Sequence, residues 1–267
     1  MTSPGVVLVR TGSRALRRSA TWWAIGIVAF AVVNIAFWPS LEGSDSLRSL
    51  QNASGDLLEA FGAQNIATPA GYLDGQMYAL MLPLLLSGAA IAMATALTAG
   101  DEDAGRLELL HALPVERRTI WLARFGSVLG AVAVVSAVVA VVTVLATKVW
   151  SLEVSAARVV AATFACAALA VFHGAVCYLV AGLGRSRAVA VGTGVLVLVV
   201  GYVVSFVFPL SEALAGAQKA SPWYWAIGAQ PISHGIDPLP LAGLLVVSAV
   251  LVAAGTLALA RRDIRSA

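Results

Sequence analysis

Residues 100–118, GDEDAGRLELLHALPVERR, hold the side chains that come nearest to a chemical site in this sequence. Three consecutive acids, Asp101, Glu102 and Asp103, are followed by Arg106, and then by Glu108 and His111 at helical i, i+3 spacing. A carboxylate beside an imidazole has the makings of acid–base chemistry, but on a surface helix such a pair is ordinarily a solvated face. No paired carboxylates, zinc-ligand spacing or nucleophile constellation shares an aqueous face anywhere in the chain. A phosphate-binding loop needs Lys followed by Ser or Thr after a Gly-rich turn. The two lysines, Lys148 before Val149 and Lys219 before Ala220, fail that test. The expectation is a protein with no catalytic residues, no cofactor, no metal and no nucleotide site of its own.

The elements around the block explain why charge is concentrated there. The chain is 60% hydrophobic and only 12% charged, against about a quarter charged in soluble domains. Its apolar residues fall in six runs, roughly 21–38, 77–99, 120–147, 159–181, 188–208 and 239–260. About 20 apolar residues cross a bilayer as a helix. The expected fold class is therefore all-α: a polytopic integral membrane protein with six transmembrane helices, forming a single domain over 1–267. The first run ends at Pro39 with no small-residue cleavage site, which favours a retained span over a signal peptide.

Thirteen of the seventeen basic residues fall on one side if the N-terminus is cytoplasmic, leaving Arg48, Lys148, Arg158 and Lys219 outside. The positive-inside rule then puts both termini in the cytoplasm. The basic excess reports membrane orientation rather than nucleic-acid binding. All seven tryptophans fall near predicted span ends or in outer loops, where interfacial anchoring is the expected role. Cys166 and Cys177 are about 16 Å apart along one helix, too far to pair.

Along residues 5–19, Arg10, Arg14, Arg17 and Arg18 share an arc of about 100°, with Leu8, Val9, Ala15 and Leu16 opposite. This predicts an amphipathic helix lying in the inner interface. Between the first two spans, GDLLEAFG suggests a short helix, TPAGYLD a capped helix start, and Asn52-Ala53-Ser54 a formal glycosylation sequon. SPWYWAIGAQPISHG near residue 230 suggests a segment folded onto the outer surface. Gly126 and Gly130 match a close-packing GxxxG pattern.

The charged block itself lies on the inner side. Asp101 is expected to cap a helix over 101–113 that Pro114 terminates, about 18 Å long and too short to cross the membrane. Its leucines, Leu107, Leu109, Leu110 and Leu113, cover half the helix. Three acids at its start favour docking to a protein over lying on lipid. No Asp, Glu, Lys or Arg lies at central depth in any span, which argues against ion coupling. Asn34, Thr95, Ser136, Thr143 and His173 are scattered polar points; Asn34, Thr95 and His173 are candidates for a substrate path.

The order of spans, the block GDEDAGRLELLHALPVERR, the TPAGYLD and SPWYWAIGAQPISHG segments and the terminal ARRDI resemble permeases of ATP-binding cassette transporters of the second type, over nearly the whole chain. The most specific likeness runs through Asp101 or Glu102, Gly105, Leu107, Glu108, Leu109, Leu110, Pro114 and Arg117, with Arg106 between them. The resemblance implies that this segment is a coupling helix seated in a cleft of a separate nucleotide-binding ATPase subunit, and that residues 5–19 are an elbow helix. It also implies a plasma-membrane exporter of an amphipathic or lipophilic substrate such as a drug, antibiotic or lipid. Fused members carry two six-span halves, so a second six-span unit, a copy or a paralogue, is expected here. An ion-coupled transporter or channel, and a scaffold that recruits a cytoplasmic partner without transport, are the alternative readings.

Overall fold

The computed structural model describes residues 4–42, 65–112, 114–228 and 230–261, and the regular structure among them is entirely helical. The sequon at Asn52, the short helix expected in GDLLEAFG, Leu113 and the tail beyond Arg261 lie outside the described residues. Among the described residues six helices are long and apolar enough to cross a membrane: Gly5–Leu41, Pro69–Asp103, Arg117–Val149, Ala156–Gly182, Arg187–Leu210 and Pro238–Ala260. Each encloses one of the six apolar runs.

The first span is α1 (Pro4–Leu41). The second is assembled from α2 (Pro69–Leu73), a π-helical turn (Asp74–Tyr78) and α3 (Met81–Leu97). Two short helices follow, α4 (Ala99–Asp103) and α5 (Arg106–His111). Spans three to five are α6 (Arg117–Val149), α7 (Ala156–Gly182) and α8 (Arg187–Tyr202), the last prolonged by a π turn over Val203–Val207. A short α9 (Pro222–Ile227) precedes the final span α10 (Pro238–Ala260).

Local chemistry sets several of these boundaries. Thr68, Ser221 and Asp237 each precede a proline and accept a hydrogen bond from a backbone N–H of the helix that follows. The oxygen satisfies an orphan donor, and proline at the first helical position gives up an N–H that has no partner anyway. The capped start expected in TPAGYLD is thus Thr68 receiving the N–H of Gly71 at 3.1 Å.

Two expectations are corrected at this level. The break expected between a surface helix over 5–19 and the first span is absent, because α1 runs unbroken through both. No proline or glycine stands between Ser13 and Ile25 to interrupt it, and the Thr21 hydroxyl bonds back to the Arg17 carbonyl across the expected boundary. The second correction concerns tryptophan. Trp38, Trp121 and Trp223 are buried inside the protein, while Trp22 is 64% exposed. Trp223 donates its indole N–H to the Leu198 carbonyl at 3.0 Å and meets the edge of Tyr202. The loop segment carrying it therefore packs onto the end of α8 as well as lying over the bundle.

At the centre of the bundle is α7, which packs against α3, α10, α6 and α8. Its alanine-rich face lets neighbours approach closely, as membrane helices require when lipid supplies no hydrophobic drive between them. At one crossing no side chain fits: a Cβ at Gly182 would lie 2.4 Å from the carbonyl oxygen of Gly255 in α10. Gly12 of α1 is equally tight against Ser127 of α6, whose hydroxyl donates to the Val9 carbonyl at 3.0 Å. The Gly126/Gly130 pattern, by contrast, makes no such crossing; Gly126 meets only Val9 at ordinary distance and Gly130 has open space beside it.

At the end of the bundle away from the charged block, the π turn presents Asp74, which accepts the backbone N–H groups of Ile232 and Ser233 at 3.0 and 2.8 Å. Arg158 of α7 donates to the carbonyls of the same two residues at 3.0 and 2.7 Å. The final loop is gripped from both sides.

Gly182→Val is expected to destabilise the protein by about 1–3 kcal/mol through overpacking. Gly192→Ala, with nothing within 4 Å, leaves stability unchanged or raises it. Thermal unfolding of the detergent-solubilised protein compares the two, and equal midpoints would contradict the crossing.

Candidate functional site

The charged block is a junction built from three spans. The second span ends at Thr98, whose backbone leaves helical geometry. After α4, Gly105 takes a left-handed conformation with φ 68°, which a residue bearing a Cβ adopts only at a cost. The single helix expected over 101–113 is therefore two: the chain turns at Ala104–Gly105 and restarts as α5. Glycine at this position is what permits the bend.

Asp101 also departs from its expected role. The residue preceding α4 is Thr98, which makes no side-chain cap, and the Asp101 carboxylate points elsewhere. One oxygen takes Arg106 of α5, with contacts of 2.7 and 2.6 Å. The other takes Arg124 of α6 at 2.5 Å. Arg124, 8% exposed, also donates to the carbonyl of Leu97, one of the orphan acceptors at the end of α3. One carboxylate thus ties the second span, the third span and α5 together. Arg106, which interrupts the leucine arc in sequence, is the exposed member of the set.

Asp103 makes a second tie that its sequence position did not suggest. Its carboxylate accepts the backbone N–H of Arg187 at 3.0 Å, capping the first turn of α8 from another helix. Gly100 admits the Arg187 stem, since a Cβ there would lie 3.2 Å from it. Glu102 is buried as well.

The leucines of α5 divide between two environments. Leu107 is fully buried in a cluster with Ala99, Trp121, Tyr178, Ala181, Ala190 and Leu259. Those neighbours come from α4, α6, α7, α8 and α10, so Leu107 joins a cluster to which the ends of four further spans contribute. Tyr178 stacks against Trp121 and Phe125 with ring centroids 4.9 and 5.1 Å away. Its hydroxyl shares a 3.2 Å hydrogen bond with that of Thr256. Leu109, by contrast, is 75% exposed. Glu108, Ala112, Pro114, Glu116 and Arg117 are exposed beside it, and Leu110 is half-buried.

A family model for the ABC-2 family transporter protein matches residues 7–230, which include this whole junction. The chain belongs to the ABC-2 transporter family. Among curated proteins none matches it. Membership makes the chain a multi-pass membrane transport subunit of the ATP-binding cassette class, whose permeases associate with an ATP-binding subunit. The matched region closes in the loop after α9; α10 lies beyond it but is bound to α7 through the glycine crossing.

In this ABC-2 subunit the three residues singled out for a substrate path sit on three different helices. Asn34 sits on α1, where its carbonyl accepts from Tyr72 and its side-chain oxygen is buried without a partner. Thr95, on α3, returns its hydroxyl to the Ile91 carbonyl at 2.8 Å. His173, on α7, is fully buried; Nδ1 lies 2.9 Å from the Leu169 carbonyl and Nε2 has no partner. No hydrogen bond joins any two of them. Sequence reasoning also missed Asp74, although it is the lone acid between residues 65 and 100, and missed Arg124 as the partner of Asp101.

Removing one member of a buried ion pair strands the other, at about 3–5 kcal/mol. Asp101→Ala is expected to lose that much stability, and combining it with Arg124→Met to recover part of it. Arg106→Ala, at the exposed side of the same carboxylate, costs about 0–1 kcal/mol. Thermal unfolding of the three variants in detergent checks the order.

Proposed function

We propose that this chain is the membrane half of an exporter, in which a separate ATPase subunit docks on residues 101–117 at the cytoplasmic face. The observation that carries the reading is the division within α5: Leu107 is locked among the span ends while Leu109 and Glu108 stand exposed beside it. A segment that only closed a loop would have no reason to pair a buried anchor with an exposed apolar ridge. Docked against a groove, the ridge of Leu109 and Leu110 supplies apolar burial, and Glu108 supplies charge. Closure of the ATPase dimer then pushes on α5. Asp101–Arg124 and Asp103–Arg187 pass the push to the third and fifth spans, and Leu107 passes it into the buried cluster that the span ends share.

In this reading both termini lie in the cytoplasm, the protein resides in the plasma membrane, and a second six-span unit, a copy or a paralogue, completes the translocation path. The apolar spans suit an amphipathic or lipophilic cargo such as a drug, antibiotic or lipid, and the absence of central acidic or basic residues leaves ATP as the energy source. Asn34, Thr95 and His173 are proposed as polar points near that path. Asp101, Glu102, Gly105, Arg106 and Arg117 serve to hold and orient the coupling face.

Co-purification with the ATPase subunit tests this directly. Glu108→Arg is expected to insert normally, to weaken ATPase capture roughly tenfold through a reversed charge at the contact, and to abolish ATP-dependent efflux of an amphipathic dye. Unchanged efflux would overturn the assignment. Leu109→Ala should weaken capture by about 1–2 kcal/mol with no change in thermal stability, whereas Leu107→Ala should cost about 2–5 kcal/mol of stability.

A further inference from the structure

A cavity of about 560 Å³ opens between the first four turns of α1 and the coupling junction. This falls within the range of about 300–1,000 Å³ usual for small-molecule sites. Its walls are apolar, with Leu8 and Leu16 from α1, Leu97 from α3, Leu109 and Leu110 from α5 and Ile120 from α6. Its charged lining consists of Asp101, Arg106 and Arg124. Both guanidiniums bind the one carboxylate, so the lining carries one positive charge more than Asp101 balances. Arg124 is held rigidly by its buried contacts, while the Arg106 side chain is 61% exposed and able to reach a ligand.

A greasy chamber with an exposed guanidinium at its rim suits one kind of molecule. The ligand must be apolar over most of its length and carry one anionic group at its end. The placement agrees. On α1 the cavity faces Thr11, Gly12 and Ala15, within three turns of the exposed Trp22. A neighbouring groove around Trp22 is lined by Arg14, Arg17 and Arg18. Tryptophan beside arginine marks headgroup depth, where anionic lipids gather against basic side chains.

We propose that this cavity binds one anionic phospholipid of the cytoplasmic leaflet, its phosphodiester on Arg106 and an acyl chain between α1 and α3. The proposal rests on the reading that residues 101–117 form the cytoplasmic coupling face. It adds a regulator to that face: Leu109 and Leu110 line the cavity, so a lipid held there braces the docking ridge against α1 and takes up part of its apolar surface. Arg106 shares its charge between Asp101 and the phosphate, and the lipid thereby couples membrane composition to the stiffness of the junction.

The test uses the full-length permease without its ATPase subunit, in micelles supplied with equimolar phosphatidylglycerol and phosphatidylcholine of identical chains. Native mass spectrometry reads the lipid retained. Preferential retention of one phosphatidylglycerol is expected, with the preference falling roughly tenfold in Arg106→Gln, as loss of a charge-assisted contact implies. Ala96→Phe, which fills the cavity, should abolish retention; Thr11→Phe at the exposed rim is the second filling variant, should the first fail to fold. Equal retention of the two lipids overturns the proposal, as does a preference that both filling variants leave intact, which would assign the lipid to the Arg14, Arg17 and Arg18 ridge. Adding the ATPase subunit separates the two readings. Release of the lipid on docking would make the cavity part of the ATPase contact and overturn the lipid site. Failure of the ATPase to bind, with the lipid preference unchanged, would sink the coupling reading and support the lipid site.

Discussion

The ion pair between Asp101 and Arg124 is the interaction on which this architecture turns. Taking both charges out of water is costly, and an apolar pair of similar volume would often be as stable. The pair offers geometry that packing cannot. A carboxylate with two faces and a guanidinium with several donors can hold three chain segments at once, and here they hold the end of α3, the flank of α6 and the start of α5. Removing Asp101 would leave the buried Arg124 without its carboxylate, whereas removing Arg124 would leave Asp101 with Arg106 alone.

From that point the bundle behaves as a connected body. Leu107 shares one buried cluster with Trp121, Tyr178, Ala190 and Leu259, and Asp103 reaches the start of α8. Tyr178 is joined to α10 by its hydroxyl, and one turn along, α7 and α10 touch backbone to backbone at Gly182 and Gly255. Close-packed interiors transmit displacement rather than absorbing it. Permeases of this family associate with an ATP-binding subunit, and the ties gather where the exposed ridge of α5 stands.

Much of this was legible in the sequence, for identifiable reasons. The six spans are readable because lipid demands unbroken apolar length, and length survives translation into one dimension. The start of the second span is readable because Thr68 and Pro69 do their work within three residues of each other. The segment over 101–113 is readable as a short, half-apolar block between two spans. What escaped were features that depend on residues distant in the chain. Asp101 looks like a helix cap until Arg124, 23 positions later, arrives beside it. Asp74 looks like a stray acid until the backbone of Ile232 closes on it. The turn at Gly105 escaped because α-helical periodicity on either side disguises one left-handed residue. Buried and interfacial tryptophans share the same local sequence, so Trp38, Trp121 and Trp223 could be sorted only by their neighbours.

The uninterrupted α1 has a mechanical consequence. Its 38 residues make a rod of about 57 Å, nearly twice the thickness of a hydrocarbon core of about 30 Å. Near one end, at Gly12, it rests against Ser127 with no room for a side chain between. Farther along, Ile27, Ala31, Ile35 and Trp38 are buried in the bundle, and Tyr72 bonds to the Asn34 carbonyl. A rod seated at both ends does not pivot alone; it tilts together with the helices it rests against. A displacement at Gly12 therefore reaches Leu41 as a movement of the whole bundle.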